Sequence, residues 1–122
     1  MKKMRKLVSY SIILAFIGLS VASCKKQKLT KDQWFISQAT DLEDGSDITS
    51  DYTGEICGFE KDGTYRENGN IKGTWEFTSK KEYLTIKKSN SGNIDNYKIL
   101  KLKKKEMWLE DVGSEELHLS KY

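Results

Sequence analysis

Lys72-Gly73-Thr74-Trp75-Glu76-Phe77-Thr78, a short break, then Tyr83-Leu84-Thr85-Ile86-Lys87-Lys88: this stretch decides the fold. Gly73, Trp75 and Phe77 alternate with polar neighbours, and so do Leu84 and Ile86. A period of two puts alternate side chains on one face of a strand, whereas a helix needs apolar residues three and four apart. The stretch therefore reads as two half-buried strands joined by a turn. Working outward, the same alternation marks strands from Trp34 to Leu42, Gly54 to Glu60, Thr64 to Asn68, Ile94 to Lys103, Glu106 to Asp111 and Glu115 to Lys121. Tyr97 with Ile99, Met107 with Leu109, and Leu117 with Leu119 share the apolar faces.

The breaks between these runs carry turn chemistry. Lys61-Asp62-Gly63, Asn68-Gly69-Asn70, Asn90-Ser91-Gly92-Asn93 and Val112-Gly113-Ser114 put Gly or Asn where a positive φ is needed. Short turns make sequential strands antiparallel neighbours. No segment has a clear amphipathic helical pattern; a helical turn has room only around Lys31 to Gln33 or within Glu43 to Asp51. Eight short strands, each apolar on one face, bury that face and blunt their edges most economically by closing into an up-and-down barrel. A two-sheet sandwich is the alternative for the same strands. The expected fold is all-β, an eight-stranded antiparallel meander whose interior is either filled by side chains or hollow enough for one small ligand.

The start of the chain is of a different kind. Basic residues Lys2, Lys3, Arg5 and Lys6 precede a mostly apolar run from Leu7 to Ala22, which ends in Val21-Ala22-Ser23-Cys24. This order is that of a secretion signal. Interrupted by serines, the run falls short of the roughly 20 apolar residues that a spanning helix needs. Val-Ala-Ser-Cys resembles the bacterial lipobox, which implies cleavage before Cys24 and attachment of acyl chains such as palmitate to its sulfur. Two or more chains exceed what stable membrane anchoring requires. The expected division is a signal peptide at 1–23, a lipidated cysteine and polar tether at 24–30, and the barrel domain at 31–122. Lys25, where an aspartate would favour inner-membrane retention, points by resemblance to the outer membrane, and the lack of an acidic run after Cys24 points to its periplasmic face.

Charge narrows the partners. Without the four basic residues of the leader, 17 basic residues face 18 acidic ones. Such a domain lacks the positive field that nucleic-acid binding draws on, so no nucleic acid is expected. With Cys24 committed to lipid, only Cys57 remains and no intrachain disulfide can form. Cys57, among Ile56 and Phe59, reads as a small buried hydrophobe.

Little in the chain suggests catalysis. His118, the single histidine, alternates with Leu117 and Leu119 and so should face solvent without partners. No zinc spacing, phosphate loop or nucleophile elbow is present. The acidic stretch Glu43-Asp44-Gly45-Ser46-Asp47 with Asp51 lacks the alternating ligand pattern of a calcium loop. Lys101, Lys103, Lys104 and Lys105 read as a guard against edge pairing. Neither an enzyme nor a cofactor or metal is expected.

Leu29 with Trp34, Phe59-Glu60-Lys61-Asp62-Gly63-Thr64-Tyr65, Gly73-Thr74-Trp75, Tyr97-Lys98-Ile99 before Leu102, and Met107-Trp108-Leu109 follow one another in an order that resembles the small lipocalin-like lipoproteins of Bacteroidetes. The resemblance spans most of residues 29–122 and implies an eight-stranded barrel on a lipid anchor. In true lipocalins Gly-x-Trp lies on the first strand; here it lies at mid-chain. Two functions compete. In the first, a barrel mouth lined by Trp34, Tyr65, Trp75, Phe77 and Tyr97 binds a small apolar molecule. In the second, a filled barrel acts through its loops on a protein partner, as an inhibitor or assembly factor, with Trp108 on its outer surface.

Overall fold

The alternating runs pair in the order of the chain. The computed structural model describes residues 24–122, so the leader at 1–23 lies outside the described residues. Eight antiparallel strands, β1 (Trp34–Asp41), β2 (Ile56–Phe59), β3 (Thr64–Glu67), β4 (Asn70–Thr78), β5 (Tyr83–Lys88), β6 (Ile94–Leu102), β7 (Glu106–Asp111) and β8 (Glu115–Lys121), form a closed barrel in sequence order. β1 meets β8 along its whole length, from Trp34 opposite Lys121 to Asp41 opposite Glu115. The sheet thus has no free edge of the kind that invites aggregation, and the lysines around the β6–β7 turn have no edge to guard. The barrel, and not the sandwich, is the architecture.

The two ends differ. β1, β3, β5 and β7 rise from one end, the base, where the connections are short; the other end, the mouth, carries the long β1–β2 connection with a 3-10 turn at Thr49–Tyr52. The base is plugged. Residues 24–30 are helical (α1), and Leu29 is fully buried in the core with Trp34, whose indole N–H donates to the Leu29 carbonyl at 3.0 Å. At the other end of α1 the Lys25 ammonium donates to the carbonyl of Lys81 in the β4–β5 connection, 3.2 Å away. Since β1 and β5 lie on opposite sides of the wall, α1 spans the base. The expectation of an unpacked tether at 24–30 is thereby corrected: one leucine, set one turn before Trp34, is enough to fold the charged segment against the barrel. The domain begins before residue 31. No helix among the described residues is long and apolar enough to cross a membrane.

Inside, Leu84, Ile86, Met107, Leu109, Leu117 and Leu119 are buried on the faces that alternation assigns them. Register shifts at Ile36/Gln38, Tyr65/Arg66 and Ile99/Lys101 break the period. Each bulge inserts one residue, Ser37 on β1, Lys72 on β4 and Leu100 on β6, and resets the alternation of the strand that carries it. As a result Ile36 and Ala39 both reach the core, and beyond Ile99 it is Leu102 that packs inward while Leu100 stays exposed. Gly73 sits where β4 and β5 come closest: a Cβ there would lie 1.9 Å from the Lys87 carbonyl oxygen. That approach leaves no room for a side chain and explains why a glycine occupies this inward position.

Two substitutions test this account. Leu29→Ala should lower unfolding free energy by about 2–5 kcal/mol, as for a fully buried leucine, whereas an unpacked tether would make it silent in a denaturant melt. Gly73→Ala should cost roughly 1–3 kcal/mol through overpacking, read as a fall in thermal midpoint by circular dichroism.

Candidate functional site

The side chains expected to line a pocket are distributed through the core in three places. Tyr65 on β3 and Trp75 and Phe77 on β4 belong to one aromatic ladder, joined through Phe59 on β2. Ring centroids lie 5.3 Å apart for Phe59–Tyr65, 6.0 Å for Phe59–Trp75 and 5.3 Å for Trp75–Phe77, the last two edge to face. The Trp75 indole donates to the Glu60 carbonyl at 2.7 Å, and the Tyr65 hydroxyl donates to Glu67 at 3.0 Å. Trp34 lies apart at the base, sealed by Leu29. Tyr97, on β6, is half-buried. Phe59 is the member that sequence reading placed in the resemblance but left out of the pocket; its inward position two residues after Cys57 was the available signal.

Above the ladder the interior turns polar. Cys57, Glu67, Lys88, Asp95 and Tyr97 occupy inward positions toward the mouth, with Asp111 and Glu115 at the rim. Lys88 Nζ stands 3.6 Å from Glu67. The Tyr52 hydroxyl, on the 3-10 turn, donates to Glu115 and so ties the long connection to β8. Burial, and then the neighbouring acids Asp95, Asp111 and Glu115, push the Tyr97 phenol above its usual range. Burial, followed by the charge of Glu67, raises Glu55. Burial also pushes the Cys57 thiol up to about 12, with Glu67 adding to it. A thiol held protonated is a poor nucleophile and a poor metal ligand, in keeping with a packing role.

Beside this interior lies a cleft that the sequence did not reveal. β1 and β2 pair only at Trp34 opposite Cys57 and Phe35 opposite Ile56. Beyond those pairs β1 continues upward along β8, while the other side of the gap is filled by the long connection, where the Ile48 N–H donates to Ala39. Between them is a cleft of about 380 Å³, lined by Phe35, Ile36, Thr49, Tyr52, Thr53, Gly54, Glu55, Ile56 and Tyr122. Ile36 and Tyr52, its inner wall, pack against the core; Phe35 and Tyr122 are exposed at its outer lip. None of the five expected pocket residues lines it.

Other side chains singled out in the sequence take ordinary roles. Asp44 and Asp47 accept the backbone N–H groups of Ser46 and Thr49 at 2.8 and 2.9 Å, and these residues, hydroxyl first, hold both carboxyls below their usual range. Among the described residues no group of three or more His, Cys, Asp or Glu is disposed to hold a metal ion. His118 does face outward, but it has partners: its ring stacks on Trp108 at 4.0 Å with an interplanar angle of 5°, and Nε2 lies 2.7 Å from Glu116. Lys101 covers the same indole at 4.5 Å from its centroid. Cross-strand register aligns the three residues, with Trp108 opposite both Lys101 and His118. Cys24 is exposed on α1 at the base.

A solved structure of a lipocalin-like protein from Bacteroides uniformis ATCC 8492 has this architecture. It matches with a TM-score of 0.60 at 14% sequence identity, covering 78% of this chain and 99% of that one. The likeness establishes a lipocalin-like barrel fold. No protein-family model and no curated protein matches the chain.

The Cys57 environment makes a testable demand. The folded thiol binds its proton up to about pH 12, while an unfolded one releases it near its ordinary value of about 8.5. Stability from this group is complete below that ordinary value and is lost as pH rises toward 12. Cys57→Ala should flatten the pH dependence of the denaturation midpoint in that window, and in the unmodified protein a thiol reagent at neutral pH should label Cys57 only after denaturant is added.

Proposed function

We propose that the chain is a lipid-anchored lipoprotein of the bacterial envelope, held by Cys24 on the periplasmic face of the outer membrane, and that its barrel binds a small apolar molecule. The reading is of a binder and not of an enzyme. One observation carries it: the apolar cleft between β1 and β2. Its volume of about 380 Å³ lies within the range of small-molecule sites, roughly 300–1,000 Å³. Its walls are Phe35, Ile36, Ile56 and the ring of Tyr52, with Thr49, Thr53 and Glu55 as a small number of polar groups. A mostly apolar lining with few polar groups is what orients a ligand of this class. A lipocalin-like barrel suits the role as a scaffold, since rigid strands hold the lip residues in place. The leader, the lipobox and the exposure of Cys24 at the base support the anchor.

Two experiments test the two halves. Cys24→Ala should move the protein from the membrane fraction to the soluble one; unchanged retention would overturn the anchor. For binding, native mass spectrometry of the domain purified gently from the periplasm of its source should show excess mass that is lost on denaturation. Phe35→Asp places a charge at the lip of the cleft and should weaken an apolar fluorophore such as N-phenyl-1-naphthylamine by roughly tenfold or more. Equal native and denatured masses, with no response of the fluorophore to Phe35→Asp, would favour a filled barrel that works through its outer surface on a protein.

A further inference from the structure

The barrel is electrically polarised along its axis. Lys28, Lys31, Lys104, Lys105 and Lys121 surround a depression of about 350 Å³ at the base, together with Cys24. Lys25 and Lys26 on α1, Lys61 in the β2–β3 turn, Lys80 and Lys81 in the β4–β5 turn, and Lys103 extend the same face. Most acids at this end have partners, the exposed Glu82 beside Lys80 and Lys81 being outside the ion pairs of the described residues. Asp32 lies 3.8 Å from Lys121, Glu106 2.5 Å from Lys101, Glu60 pairs with Arg66, and Asp62 caps the Thr64 N–H at 2.9 Å. Lys28, Lys31, Lys104 and Lys105 take part in no ion pair among the described residues. The mouth has the opposite sign, with Glu43, Asp44, Asp47 and Asp51 in the long connection above the inward acids.

From this geometry we infer that the base is a docking face for an anionic phospholipid surface. The lysines are spread over α1 and several separate turns instead of converging on a point, so they fit a plane of headgroups better than one small anion. Their long stems reach outward while the charges stay wet, as lysines at an interface do. Cys24 lies on the same face, so an acyl chain attached there would enter the bilayer where the lysines meet it. The mouth, being acidic, is repelled by the same surface and turned away from it. Each lysine near an anionic bilayer raises partitioning by roughly fivefold, an effect confined to about a Debye length. The inference does not require Cys24 to be acylated and can fail or stand apart from the anchor.

The test uses residues 24–122 with Cys24→Ser, which hold every buried core residue and the whole closed sheet. In co-sedimentation it should bind vesicles of phosphatidylcholine mixed with phosphatidylglycerol, and not vesicles of phosphatidylcholine alone. Lys104→Glu with Lys105→Glu should weaken that binding by about 25-fold or more, and Lys28→Glu with Lys31→Glu should do the same. Lys72→Glu with Lys87→Glu, toward the mouth, should leave it unchanged. A thermal melt of each variant separates lost binding from lost fold. Equal loss from the mouth pair, or no preference for the anionic vesicles, would overturn the proposal. So would displacement by inorganic phosphate beyond that given by chloride at equal ionic strength, which would mark a pocket for a single anion.

Discussion

Closure of the sheet requires β1 and β8, the first and last strands of the chain, to find each other, and the rest of the molecule hangs on that pairing. Contacts so distant in sequence are entropically costly and form slowly, so β1 needs more than backbone hydrogen bonds to hold it. Trp34 supplies the addition. Its indole is buried at the base, opposite Lys121 on β8 and Cys57 on β2, and α1 closes over it with Leu29. One tryptophan therefore joins the end of the barrel, the start of the sheet and the helix that precedes it.

The strands were legible because alternation is a strong signal when one face is buried, and the hairpin turns announced themselves through Gly and Asn. What escaped the sequence did so for identifiable reasons. α1 is short, carries one buried apolar residue and is otherwise rich in lysine, so no helical stripe could show itself. The bulges at Ser37, Lys72 and Leu100 leave no compositional mark, yet each decides which later residues of its strand face inward. Inward does not mean accessible: Trp34 and Trp75 direct their N–H groups to backbone carbonyls and fill space. The cleft between β1 and β2 arises where pairing stops, which depends on the path of a connection and not on any motif. His118 found its partners across strands, where register and not sequence distance sets neighbours.

Net charge concealed the most about this domain. A balance of 17 basic and 18 acidic residues after the leader suggests an electrically bland surface. Yet the sum says nothing of arrangement. A meander sends alternate connections to opposite ends, so the sign of a turn's residues becomes the sign of an end. Lysines in the β2–β3, β4–β5 and β6–β7 turns collect at the base, and the acids of the β1–β2 connection collect at the mouth. A one-dimensional alternation of turn composition thus becomes an axial dipole, with the hydrophobic ladder insulating its two poles.

The two-pair contact between β1 and β2 also sets how the barrel breathes. Every other seam is longer, so thermal opening concentrates along this line, and the amides that bridge β1 and β2 exchange with solvent through local excursions that leave the remaining sheet intact. Such a seam lets two strands part while the rest of the wall holds, so the interior would open from the side without the domain unfolding.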